Sequence, residues 1–133
     1  MGYDINRRTN VFETVPRRFH DTSSNEEVLP YVIFIDCTAT DALTSTYQLN
    51  DDVRVIDAVA IATAANVDAT VTVQDNDGNA ITDAMVIATD KATARAGSID
   101  DVNWEESEGN NLKVVQNANG DSCYVYITVI PTK

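Results

Sequence analysis

Two stretches of strict alternation constrain this chain more than any other feature. In the first, Val67, Ala69, Val71 and Val73 interleave with Asp68, Thr70, Thr72 and Gln74. In the second, Cys123, Val125, Ile127 and Val129 interleave with Tyr124, Tyr126, Thr128 and Ile130. A period of two belongs to a β-strand, whose successive side chains point to opposite faces. Each stretch therefore predicts a strand with its Val/Ile/Ala positions turned into a core, Val67 and the thiol of Cys123 included.

Further strands follow from the same reading. Tyr31–Cys37 is a β-branched and aromatic run of strand length, and Ser45–Leu49 is a weaker one. Across Val53–Thr63, plain alternation puts Val53, Val55, Val59 and Ile61 on one face. Arg54, Ile56, Ala58, Ala60 and Ala62 fall on the other. Asp77-Gly78 predicts a hairpin turn into a strand over Ile81–Thr89, with Ile81, Met85 and Ile87 inward. Ala92–Ile99 is a weaker strand or loop, and an acidic loop surrounds Trp104. Leu112–Gln116 and Cys123–Ile130 read as strands joined by a second hairpin at Asn119-Gly120.

About eight short strands punctuated by turns predict an all-β fold, a two-sheet antiparallel β-sandwich of jelly-roll type. An immunoglobulin-like sandwich is the alternative, but no Trp lies between the two cysteines at the spacing that fold uses. The chain's 133 residues suit one domain that buries its own core without disulfide or metal staples.

Residues 1–29 differ from the rest. They mix Asn, Arg, Thr, Ser and Glu with isolated apolar residues, among them Tyr3, Val11, Phe12 and Phe19, and Pro16 interrupts any helix. We read them as an extended N-terminal arm that orders on another molecule, leaving residues 30–133 as the sandwich. Residues 1–20 hold four arginines against Asp4 and Glu13, a net +2. The remainder carries five Lys/Arg against 19 Asp/Glu, a net −14. So acidic a body repels a phosphate backbone, and nucleic acid is not an expected partner. No apolar run reaches membrane-spanning length, so no membrane partner is expected. Residues 1–20 carry no apolar signal-peptide core, which predicts synthesis in a cytosol.

The chemistry of enzymes is thinly represented. His20 is the single histidine and lies in the arm, so an imidazole-based triad is not expected. Phosphate-cradling glycine motifs are missing. Asp51-Asp52, Asp100-Asp101 and Glu105-Glu106 with Glu108 could pair as glycosidase carboxylates, but they read more simply as solvated acidic loops. Asp75-Asn76-Asp77-Gly78-Asn79 opens like a calcium loop and then departs from it. Position six is Ala80 and position twelve is Val86. A looser site using Asp75, Asp77 or Glu108 is left open. Cys37 and Cys123 form neither a zinc pattern nor a secreted disulfide framework, and both are placed on core-facing strands. They can be bridged only if their strands are neighbours. No catalysis, cofactor or metal is expected.

One face is less polar than a solvated sheet requires. Tyr124, Tyr126 and Ile130 hold the outward side of the last strand, and Val32 and Phe34 hold the corresponding side of the first. An apolar second face is normally covered, by the other sheet or by a partner; a barrel-like closure would explain it without partners, while tyrosines favour interface cores. These five are the candidate subunit-interface residues.

The run VRVIDAVAIAT, then VDATVTVQDNDGNAIT across its turn, then GNNLKVVQNANGDSCYVYITVI resembles the small jelly-roll cement, or decoration, proteins of tailed-bacteriophage capsids. An arm before a sandwich also fits that layout. The resemblance implies a homotrimer on the virion exterior that binds the major capsid protein and bridges its subunits near local three-fold axes. It implies that the arm contacts the shell, with Arg7, Arg8, Phe12, Arg17, Arg18 and Phe19 as anchors. The acidic body and the two cysteines depart from the family pattern. A carbohydrate- or receptor-binding sandwich, with Trp104 as its platform, is the competing expectation.

Overall fold

The structure, a computed structural model, describes residues 20–21, 26–27, 29–38, 43–119 and 122–132. Among them every regular element is a strand. Two short strands, β1 (His20–Asp21) and β2 (Glu26–Glu27), pair antiparallel ahead of the sandwich. The sandwich then runs β3 (Tyr31–Asp36), β4 (Thr44–Gln48), β5 (Val53–Ala62), β6 (Thr70–Gln74), β7 (Met85–Val86), β8 (Thr93–Arg95), β9 (Glu105–Glu106), β10 (Asn111–Gln116) and β11 (Cys123–Pro131).

One sheet has the order β4-β10-β6-β7. The other has the order β3-β11-β5-β8, with β9 also pairing with β5. All pairings are antiparallel. Successive strands mostly switch sheets, and each sheet places a late strand (β10 or β11) between two early ones. That interleaving is the jelly-roll arrangement, and it excludes the immunoglobulin-like alternative.

The core lies between the sheets. Ile33, Ile35, Val53, Val55, Val71, Val73, Leu112, Val114, Val125, Ile127 and Val129 are buried there with Leu49, Ile81, Met85 and Ile87. Nearly all are β-branched or small, which suits a thin interior filled from two pleated surfaces.

Four local expectations need correction. Val67 is not inward but 80% exposed. It sits in a turn with Asp68, whose φ is +61°, and β6 begins only at Thr70. Across β5 the alternation changes phase. Val55 pairs with Val129 and Asp57 with Thr128, so Ile56 is an extra residue, a β-bulge. Beyond it Ala58, Ala60 and Ala62 are buried, while Val59 and Ile61 turn outward.

The strand expected over Ile81–Thr89 shrinks to β7. Near its start the Thr82 hydroxyl accepts from Val73 N at 3.0 Å, supplying a partner a backbone carbonyl would otherwise give. Asn119-Gly120 does not close a hairpin either, because β10 and β11 belong to different sheets.

Candidate interaction face

The outer surface of the β3-β11-β5-β8 sheet is the candidate site. Antiparallel register sets its rows. Phe34, Tyr126, Val59 and Arg95 lie side by side across four strands, and Asp36, Tyr124, Ile61 and Thr93 form the next row. Val32, Thr128 and Asp57 form the row on the other side. Directly opposed side chains on one face approach closely enough to pack. The Phe34 ring sits 5.5 Å from that of Tyr124 and 5.2 Å from that of Tyr126, both tilted. Val32 and Phe34 remain 56% and 48% exposed, and Tyr124, Tyr126, Val59 and Ile61 are half-buried.

The structure thus brings together four of the five expected interface residues, Val32, Phe34, Tyr124 and Tyr126. Ile130 shares the face but lies beyond Thr128, beside Arg54. Alternation carried through without a break missed Val59 and Ile61, because the bulge at Ile56 reverses their direction. A signal was available: small alanines occupy every second position after Asp57, as a crowded inner surface requires. Arg7, Arg8, Phe12, Arg17, Arg18 and Phe19 lie outside the described residues.

Charge borders the apolar centre. Asp57 accepts from Arg95, with Nη2 2.9 Å from Oδ2, and that pairing raises the affinity of the guanidinium for its proton. Arg54 Nη2 stands 2.6 Å from Glu105 Oε2, and its guanidinium lies 4.8 Å over the Trp104 ring. Thr38 hydroxyl and amide groups donate to Asp36, holding that carboxyl below its ordinary range.

The acidic loops do structural work. Asp75 Oδ1 accepts from Asp77 N at 2.9 Å and Asn79 N at 2.8 Å, and Oδ2 accepts from Asn79 Nδ2 at 3.1 Å. Burial works against its charge, but these donors prevail and its carboxyl is held below the usual value. Gly78 completes the turn at φ +91°. Glu106 accepts from Asn76 N and Asn110 Nδ2, and Asp52 accepts from Glu108 N. These oxygens organise loops. Trp104 packs half-buried against the core beneath Arg54.

No family model matches the sequence, and no curated protein matches it. Among solved structures, the chain is similar to a chain of the cyanophage Pam1 capsid asymmetric unit. The TM-score is 0.52 at 16% sequence identity, over 96% of this chain and 97% of that one. At that identity the shared property is the fold.

Proposed function

We propose that this protein is a structural component of a phage head. It docks on the outer surface of the capsid shell, bridges major capsid protein subunits as a cement protein, and acts by binding, without catalysis. In this reading it is a homotrimer made in the host cytoplasm, with the face around Phe34 and Tyr126 buried between subunits. The arm, through Arg7, Arg8, Phe12, Arg17, Arg18 and Phe19, grips the shell. The observation that carries the reading is the end-to-end likeness to a chain of a phage capsid asymmetric unit. The unpartnered aromatic face and the acidity of the body support it, since a net −14 after residue 20 suits the outside of a shell better than its DNA-facing side. A trimer engages several sites at once, so modest single contacts add up to tight decoration.

Co-sedimentation with shells assembled from the major capsid protein tests this. The full chain is expected to pellet with shells, and a variant lacking residues 1–29 is expected to stay in solution. Equal pelleting of both removes the arm from the mechanism, and failure of the full chain to pellet removes the function. Light scattering should give three times the 14.5 kDa chain mass. The glycan-platform alternative is not favoured, because Arg54 covers one face of Trp104.

A further inference from the structure

The strands that carry the two cysteines are neighbours. Continuing the β3–β11 register by one step sets Cys37 opposite Cys123, and Cys37 N donates to Cys123 O at 2.9 Å. Both side chains are buried, at 1% and 0% exposure, and both thiols are free. The Cys37 thiol donates to Ile35 O at 3.9 Å. Gln116, on β10 of the opposite sheet and 3% exposed, spans the pair. Its Nε2 donates to Cys37 O at 3.3 Å, and its Oε1 accepts from Cys123 Sγ at 3.7 Å.

From this geometry we infer that Cys37 and Cys123 are a dithiol modification site, converted to an intrachain disulfide by a low-molecular-weight disulfide of the oxidised-glutathione class. The inference is independent of the proposed capsid role.

Directly opposed residues of antiparallel strands hold their Cα atoms about 4.5–5.5 Å apart, inside the disulfide range. Their Cβ atoms start about 4.5–5.5 Å apart and must close slightly. Cys37 can provide that movement. It lies one residue past the end of β3, an edge strand, and only one side of it is tied to the sheet. The same position is the route by which a reagent arrives, through fraying of a strand end rather than opening of the core.

Cys37 is the attacking sulfur. It lies just past the end of the edge strand, where a reagent arrives first; closeness to Cys123 holds its thiol below the ordinary range, whereas closeness to Cys37 and burial push the Cys123 thiol up. The Cys37 thiolate attacks one sulfur of oxidised glutathione and expels one glutathione thiolate, leaving a mixed disulfide. Cys123 then gives its proton to solvent and attacks Cys37 Sγ, and the second glutathione leaves. The two protein thiols lose two electrons, and one glutathione disulfide becomes two thiols. The product pins β3, the strand the arm feeds, to β11 at the centre of the sheet.

Two energetic consequences distinguish this site from a chance pair of thiols. Closing a loop from residue 37 to residue 123 restricts the unfolded chain, so the oxidised protein should melt about 5 °C or more above the reduced one. Oxidation also removes the S–H donor to Gln116 Oε1 and leaves that buried oxygen short of a partner. Gln116→Met should therefore raise the equilibrium constant for disulfide formation by about threefold or more.

The test equilibrates the full-length native protein in mixtures of reduced and oxidised glutathione, quenches with acid, and alkylates under denaturing conditions. Intact mass and peptide mapping should show one chain with both thiols protected and the Cys37 and Cys123 peptides joined. In Cys123→Ser the reaction should stop at a glutathione adduct on Cys37. The inference is overturned if both thiols remain alkylatable across the series, if the bond joins two chains, or if the wild-type chain accumulates only the adduct. An unchanged equilibrium constant in Gln116→Met overturns the role given to that side chain.

Discussion

The two sheets of this sandwich are alike inside and opposite outside. The β4-β10-β6-β7 sheet turns Thr44, Thr46, Gln48, Thr70, Thr72, Gln74, Asn111 and Lys113 outward, with Val86 and Val115 as the apolar exceptions. The β3-β11-β5-β8 sheet turns out Val32, Phe34, Tyr124, Tyr126, Val59 and Ile61, bordered by Asp36, Asp57, Thr93, Arg95 and Thr128. A solvated face reads like the first. Inner packing does not require the second, since the core is complete without those residues. The fold therefore accounts for one outer face and gives no packing reason for the apolar centre of the other.

The sharpest way to break that comparison is to put the same charge on adjacent residues of β11. Val125 is buried and Tyr126 faces outward. Val125→Asp should abolish the cooperative thermal transition, because an unpaired buried carboxylate costs several kcal/mol or more. Tyr126→Asp should keep a two-state transition within about 1 kcal/mol of wild type. If both unfold the protein, the outer face is part of the core after all.

The next effect concerns association. Phe34→Asp combined with Tyr126→Asp should reduce self-association by about 30-fold or more, the loss expected when a central aromatic pair of an interface is removed. Thr46→Asp with Thr72→Asp, on the polar sheet, should leave association unchanged. Sedimentation equilibrium of the two double variants decides it. Equal behaviour would mean that the aromatic face carries no contact.

How much of this was legible in the residues differs along the same divide. The inward Val positions of β6 and the inward Val and Ile positions of β11 follow from alternation alone, and so does the sandwich. Tyr124, Tyr126, Val32 and Phe34 also declare themselves, since their strands keep phase from end to end. Val59 and Ile61 do not, because a single inserted residue at Ile56 inverts everything after it. Nor could local signals tell that Asn119-Gly120 joins two sheets, because sheet membership depends on pairings far away in the chain. The opposition of Cys37 and Cys123 is likewise a matter of register between strands at opposite ends of the chain.

A smaller effect separates the sheets at their ends. The polar-faced sheet is closed after β6 by the Asp75 turn, where a carboxylate accepts three donors. Asp75→Asn should cost about 1–2 kcal/mol, since the amide replaces charged acceptors with one neutral oxygen. The pH dependence has a definite sign. The folded-state value of Asp75 is depressed, so its stabilisation is present above the unfolded carboxyl value near 3.9 and disappears as pH falls through the lower folded value. Acid titration of thermal stability should therefore be shallower below about pH 4 in Asp75→Asn than in wild type. Parallel curves would remove the carboxylate from the stability of that turn.

The smallest effect lies at the border of the apolar face, where Arg54 joins β5 to Glu105 on β9 and covers Trp104. Both charged side chains are largely exposed, at 40% and 53%, so the ion pair itself is expected to contribute well under 1 kcal/mol. The stacking on the indole adds about 0.5–1 kcal/mol and does not depend on Glu105. Glu105→Gln should thus change the urea midpoint hardly at all, whereas Arg54→Ala should lower it measurably and leave the Trp104 emission red-shifted as the ring gains water. If Glu105→Gln destabilises as much as Arg54→Ala, the ion pair rather than the stacked ring holds β9 in place. The charged border would then be coupled to the edge of the sheet, and the apolar centre would no longer be separable from its rim.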